Sequence, residues 1–184
     1  MAIPSFKPKR ILWLDMEMTG LDPVCDWPLE VAMIVTDWDM KELASWEGVI
    51  HHPPSKLAAK FDANREFWDQ QSDARRGLEA QNTHGMSREV FETELLAFLD
   101  EQFDEGKILL AGNSIHQDRR FIAQWLPRFD ARLHYRMLDV SAWKVVFEGR
   151  YNKKFAKPEE HRALQDIRGS IMELKYYLAK VRVK

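Results

Sequence analysis

The chain has a single cysteine in 184 residues. Cys25 alone can form no internal disulfide, which fits a reducing compartment. It has no thiol-activating partner nearby in sequence, so a passive role is expected. Long apolar runs are missing too: no window approaches the roughly 18–20 apolar residues of a membrane span. The opening Met-Ala-Ile-Pro-Ser-Phe-Lys-Pro-Lys-Arg has no apolar core of signal-peptide length. A soluble, cytosolic protein with no membrane partner is expected. Neither sign of charge dominates, since 27 Lys and Arg against 29 Asp and Glu leave −2. That argues against wrapping long duplexes by raw electrostatics. It leaves room for a small nucleotide held by local positive groups and a metal. No repeat or low-complexity tract breaks the chain.

What is present is a core-forming composition, 45% apolar, suited to one domain over residues 1–184. The organising stretch is Ile11-Leu-Trp-Leu-Asp-Met-Glu-Met-Thr-Gly-Leu21, a predicted strand entering a glycine-marked turn. Alternate side chains of a strand share a face. Leu12, Leu14, Met16 and Met18 stay apolar, whereas Ile11 and Trp13 give way to Asp15 and Glu17 on the other face. Two acids thus emerge at the carboxyl end of a buried strand, where open α/β sheets bind ligands. Neighbouring carboxylates repel unless a cation lies between them, and hard divalent ions prefer such oxygens. The plain alternative makes Asp15 a turn residue and Glu17 a solvated one.

Further along, strands are predicted over Leu29–Asp37 and Glu42–His51, giving an antiparallel meander closed by Pro53-Pro54. Helical character runs over Phe61–Ala80, and a second helix capped by Ser87 ends near Gly106. Lys107–Gly112 is a short buried strand, and Gln117–Leu126 a helix halted by Pro127. His134–Val140 is a fifth strand, followed by a helix capped by Ser141, a basic loop over Gly149–Glu160, and a last helix over Ala163–Arg182. Strands first, then strands alternating with helices, imply an α/β fold: a mixed five-stranded sheet flanked by helices.

Asp118 follows the fourth strand directly, so a third acid is delivered where the first two emerge; a helix-capping role is its ordinary alternative. His161 sits before the last helix and Asp166 within its first turns. Residues five apart on a helix diverge by about 140°, so the two approach one point only if His161 is on the loop. Histidine is the usual general base near neutral pH; a surface histidine on a charged loop is the alternative.

Asp15-Met-Glu17, Asp118, and His161 with Asp166 resemble the four acids and histidine of the DEDDh 3′→5′ exonucleases. Within them the chain resembles the oligoribonuclease family. The resemblance rests on Trp13–Pro23, Gly112–Phe121, His134–Ser141 and Asp166–Tyr177, and covers nearly the whole chain. It implies a ribonuclease-H-like fold and a homodimer. It also implies two Mg²⁺ or Mn²⁺ ions per active site on Asp15, Glu17, Asp118 and Asp166, with His161 accepting the proton of the attacking water. The implied substrates are dinucleotides and short oligoribonucleotides, cut from the 3′ end to nucleoside 5′-monophosphates.

The same resemblance makes Leu21 a wedge between two bases and Trp68 a ring stacked on a base. Ser114, Arg136 and Ser141 would close over the 5′-phosphate, with Tyr135 and Arg136 reaching in from the second subunit. On the residues alone, Leu21 packs a turn, Trp68 is core, and Tyr135 and Arg136 are strand surface. Three departures stand out: Ala142 where the family often has Thr, Gln165 where an acid often precedes the final Asp, and an unusual segment from Phe61 to Ser87. They leave open a relative tuned to deoxydinucleotides or to longer chains. A proofreading-type DNA exonuclease and a non-enzymatic nucleotide-binding dimer are the competing readings. His51 and His52 are expected as loop residues, and Trp38, Trp46, Trp125 and Trp143 as core or interface. His84 and His116 border the site at most, and Lys153, Lys154 and Lys157 form a solvated basic loop.

Overall fold

A computed structural model of the chain describes residues 6–156 and 163–182. Five strands form one sheet: β1 (Ile11–Met18), β2 (Pro28–Thr36), β3 (Glu42–Val49), β4 (Ile108–Gly112) and β5 (Leu133–Asp139). Their order is β3-β2-β1-β4-β5. β1, β2 and β3 pair antiparallel, as the short β2–β3 turn predicts, whereas β4 runs parallel to both β1 and β5. The result is the expected mixed sheet of a ribonuclease-H-like fold. Parallel neighbours need crossovers, and here α5 (His116–Trp125) and the single turn α6 (Pro127–Asp130) link β4 to β5.

The remaining helices are α1 (Pro54–Ala63), α2 (Arg65–Trp68), α3 (Ser72–Gln81), α4 (Arg88–Gln102), α7 (Val140–Tyr151) and α8 (Ala163–Leu178). They cover both faces of the sheet. Leu12, Leu14 and Met16 of β1 pack with Phe91 and Leu95 of α4 and Phe121 of α5. Ile11 and Trp13, from the other parity, pack with Phe147 of α7 and Ile167 and Leu174 of α8. The alternation read in β1 is therefore the division of the core into two layers. Among the described residues, no helix is long and apolar enough to cross a membrane.

Several boundaries differ from the sequence expectation. The single helix over Phe61–Ala80 is three pieces. Asn64, with φ −111° and ψ 30°, leaves helical geometry between α1 and α2, and Gln71 at −117° and 40° does so before α3. Pro54 does not close the meander but opens α1, where its missing N–H costs nothing. Pro127 likewise opens α6. Ser87 does cap α4, its hydroxyl accepting the N–H of Val90. Ser141 does not cap α7: Asp139 does, its carboxylate accepting the Ser141 N–H at 2.9 Å. α4 stops at Gln102 and α8 at Leu178, short of the expected ends.

Candidate active site

The β1–β2 ladder pairs Asp15 with Ala32 and Glu17 with Glu30, then slips at a bulge so that Met18 meets Pro28. The bulge ends the pairing where the acids emerge, and Asp15 and Glu17 are both half-buried. The chain then enters a loop built on Thr19 and Asp26, both buried. The Thr19 hydroxyl bonds the Asp26 carboxylate at 3.3 Å and accepts the Trp27 N–H at 3.0 Å. Gly20 is confined here, because a Cβ would come within 2.4 Å of Asp26 Oδ2. Leu21 follows with 69% of its surface exposed, and its carbonyl accepts a bond from the Gln117 amide of α5.

Asp118 lies in the first turn of α5, on the opposite side of the sheet from α8. It is buried, and its Oδ1 accepts the Met16 N–H at 3.1 Å. Gly112 allows the approach of β4 to β1 at this level, since a Cβ there would meet the Leu14 carbonyl at 2.7 Å. Asp166 enters from the first turn of α8. The acids feel one another. Burial, then the charges of Glu30 and Asp166, push the Glu17 carboxyl up to about 7. Burial chiefly pushes Asp118 up to about 7, with Glu17 and Asp139 adding to the rise and the N–H groups of Asp118 and Met16 opposing it.

Among the described residues, no three carboxylate, imidazole or thiol groups stand close enough to form a ready cation cage. The donor chemistry nevertheless fits hard divalent ions. The desolvated carboxylates of Glu17 and Asp118, with Asp166 acting on Glu17 from α8, would be stabilised by cations between them. His161 and Lys157 lie outside the described residues.

At the ends of β4 and β5, Ser114 adopts φ 50° and meets Ser141. Their hydroxyls are 3.1 Å apart, and the Ser114 N–H donates to Ser141 Oγ at 2.9 Å and to Asp139 Oδ1 at 3.0 Å. Two residues expected together are thus together. Tyr135, 74% exposed, and Arg136 lie on the outer strand β5, with the Arg136 guanidinium 5.4 Å over the Tyr135 ring.

Trp68 corrects an expectation. It is 3% exposed, edges onto Phe61, and donates its indole N–H to the Thr19 carbonyl at 2.9 Å. Its ring is bound into a satellite core with Leu29, Leu57 and Leu78 and offers no stacking platform, while neighbouring Phe67 is 59% exposed. His51 and His52 lie between elements, and His52 is buried with Nε2 2.7 Å from the Pro28 carbonyl. Trp38 is 52% exposed, with its indole on the Pro8 carbonyl. Sequence reading missed Glu30 and Asp139. Glu30 carried a signal: it is the lone acid inside an otherwise apolar strand.

An exonuclease family model matches residues 12–174. The oligoribonuclease of Dichelobacter nodosus (strain VCS1703A) is 38% identical over 179 residues, covering 96% of this chain and 97% of its own. That of Vibrio cholerae (strain ATCC 39541) is 40% identical over 177 residues, covering 94% and 96%. Among solved structures, exonuclease I from Methylocaldum szegediense matches with a TM-score of 0.63 at 17% identity. It covers 93% of this chain but 41% of its own, so this chain spans about two fifths of that enzyme and the likeness speaks to fold alone. By the model match over most of its length and by relatives of nearly its own size, the chain belongs to the oligoribonuclease family of exonucleases.

Proposed function

We propose that this protein is a metal-dependent 3′→5′ exonuclease that hydrolyses dinucleotides and short oligoribonucleotides to nucleoside 5′-monophosphates. The observation that carries the reading is that acids from β1, α5 and α8 come within one another's field: Asp166 acts on Glu17, Glu17 acts on Asp118, and both Glu17 and Asp118 are desolvated. With Asp15 they would hold two Mg²⁺ or Mn²⁺ ions. Such ions supply charge neutralisation at a phosphodiester and acidify water near neutral pH.

The chain's own residues do the rest. His161 accepts the proton of the attacking water. Leu21, fixed through its carbonyl by Gln117, separates the last two bases. Ser114 and Ser141 receive a 5′-phosphate, and a cap there limits substrate length because a longer 5′ strand has no exit. A second copy of the chain completes the site with Tyr135 and Arg136. Two features support the homodimer: both residues lie on an outer strand, and α7 exposes Val145 and Val146, at 72% and 52%.

The test is a time course with Mn²⁺ and end-labelled ribo- and deoxy-substrates of two to seven residues. Fastest cleavage of the ribodinucleotide is expected. Preference for the longest strands would replace this reading with a proofreading-type exonuclease, and binding without cleavage would replace it with a nucleotide-binding dimer.

A further inference from the structure

We propose that Tyr177, Glu173 and Asn113 form a positioning relay that fixes the hydrogen-bond direction of the Ser114–Ser141 pair, and with it the grip on a terminal phosphate monoester. The proposal rests on the reading of that pair as the 5′-phosphate cap.

Glu173 is a carboxylate with only 3% of its surface exposed, on the inner side of α8. The Tyr177 hydroxyl donates to its Oε1 at 2.9 Å, and Asn113 Nδ2 donates to its Oε2 at 3.1 Å. The second Nδ2 hydrogen goes to Ser170 Oγ at 2.9 Å, and Ser170 in turn donates to the Asp166 carbonyl at 2.9 Å. Ser170 Oγ, its own proton given to the Asp166 carbonyl, and Glu173 Oε2 both accept from Asn113, so the Asn113 amide is held with its nitrogen inward. Its oxygen therefore faces Ser141, whose hydroxyl lies 3.3 Å away and must donate.

The order continues to the surface. With its proton committed to Asn113, Ser141 Oγ has only lone pairs left. It accepts the Ser114 N–H at 2.9 Å and, in the 3.1 Å hydroxyl pair, the Ser114 O–H. Ser141 is thereby a fixed post. Ser114 is the one hydroxyl of the two whose proton is held by no interior group, so it can turn to an incoming phosphate oxygen without leaving a buried acceptor unpaired. Ala142 supplies no further hydroxyl, which places the cap's side-chain donation within this chain on Ser114. Without Glu173, only Ser170 holds the Asn113 nitrogen inward, and a turn of its hydroxyl from the Asp166 carbonyl to Asn113 Oδ1 lets the amide invert and reverse every bond outward of it.

The test compares a 5′-phosphorylated dinucleotide with the same dinucleotide lacking that phosphate, for wild type, Glu173→Met, Asn113→Ala and Ser141→Ala. Wild type is expected to show the lower KM with the phosphate present, and Ser141→Ala to lose that advantage. Glu173→Met and Asn113→Ala should raise KM on the order of tenfold for the phosphorylated substrate only. Their kcat, their KM for the bare dinucleotide and their Mn²⁺ affinity measured without substrate should hold. Wild-type KM in both relay variants, with Ser141→Ala impaired, overturns the relay. Indifference of wild type to the 5′-phosphate overturns the cap reading instead.

Should the relay variants fail to fold, wild-type NMR decides. Both Asn113 side-chain amide protons should exchange slowly and shift when a nucleoside 5′-monophosphate is added, but not a nucleoside. Fast exchange of both protons overturns the proposal.

Discussion

Met16 donates its main-chain N–H to the carboxylate of Asp118 across 3.1 Å, although 102 residues separate them in sequence. The bond pins the start of α5 to the strand that carries Asp15 and Glu17. The bond favours the charged carboxylate, but an amide oxygen in its place would still accept the same N–H.

Asp118→Asn is therefore expected to keep the fold and lose the chemistry. It removes a buried charge while preserving the acceptor, so the thermal midpoint should be unchanged or higher. Cleavage of a labelled dinucleotide should fall on the order of a hundredfold or more. A large drop in midpoint together with intact turnover would assign Asp118 to structure alone.

The raised carboxyls give a pH prediction with a definite sign. Glu17 and Asp118 titrate near 7 in the fold, against about 4 when unfolded. Folding favours their protonated forms, so they cost no stability below about pH 4 and progressively more as pH rises toward about 7. In a chelator, the part of the thermal midpoint due to these groups should fall over that window, and Glu17→Gln should flatten the slope. Mn²⁺ should raise the midpoint more at about pH 7 than at about pH 5. Equal metal stabilisation at both values would rule this out.

His161→Ala should bind a dinucleotide as wild type does and turn it over slowly, because the proton acceptor is lost while the acids remain. General-base loss is worth about 10²–10⁴-fold. A single-turnover rate equal to wild type would remove His161 from the mechanism.

Gly20→Ala tests the loop that presents Leu21. The added Cβ would lie 2.4 Å from Asp26 Oδ2 and 2.7 Å from Asn64 Nδ2. Both side chains are tied down, Asn64 donating to Asp26 Oδ1 at 3.0 Å and Asp26 Oδ2 accepting the Asp22 N–H at 2.9 Å, so the loop must shift. A loss of about 1–3 kcal/mol in urea unfolding is expected, with a raised KM for the dinucleotide. Unchanged stability would show that the loop adapts freely.

The sheet and the emergence of Asp15 and Glu17 from β1 were legible because period-two patterning is a local property. β1 alone displays both core layers and the switch from apolar to carboxylate. The helical region after β3 was not legible in the same way, because breaks at Asn64 and Gln71 arise where short pieces pack onto Leu29 and Thr19 rather than from any helix-breaking residue. Trp68 is core, as its residue type alone suggests, and it was the stacking role taken from the family resemblance that failed. Its indole finds the Thr19 carbonyl 49 residues away, a contact that sequence spacing cannot announce. The Asp139 cap was hidden by the adjacent Ser141, an equally good capping residue type. Asn113, Ser170, Glu173 and Tyr177 lie inside stretches that match the family but have no role legible there, since their shared network exists only once α8 docks beside β4.

The carboxylates are drawn from the first strand and from the last helix of the fold. During translation, a ribosome-tethered intermediate can therefore complete the whole sheet and still lack Asp166. On the proposed role of Asp166, catalytic competence would wait for α8 to dock on a finished sheet. A fragment ending before α8 is then expected to be inert rather than weakly active, so an unfinished message would yield no partly working nuclease.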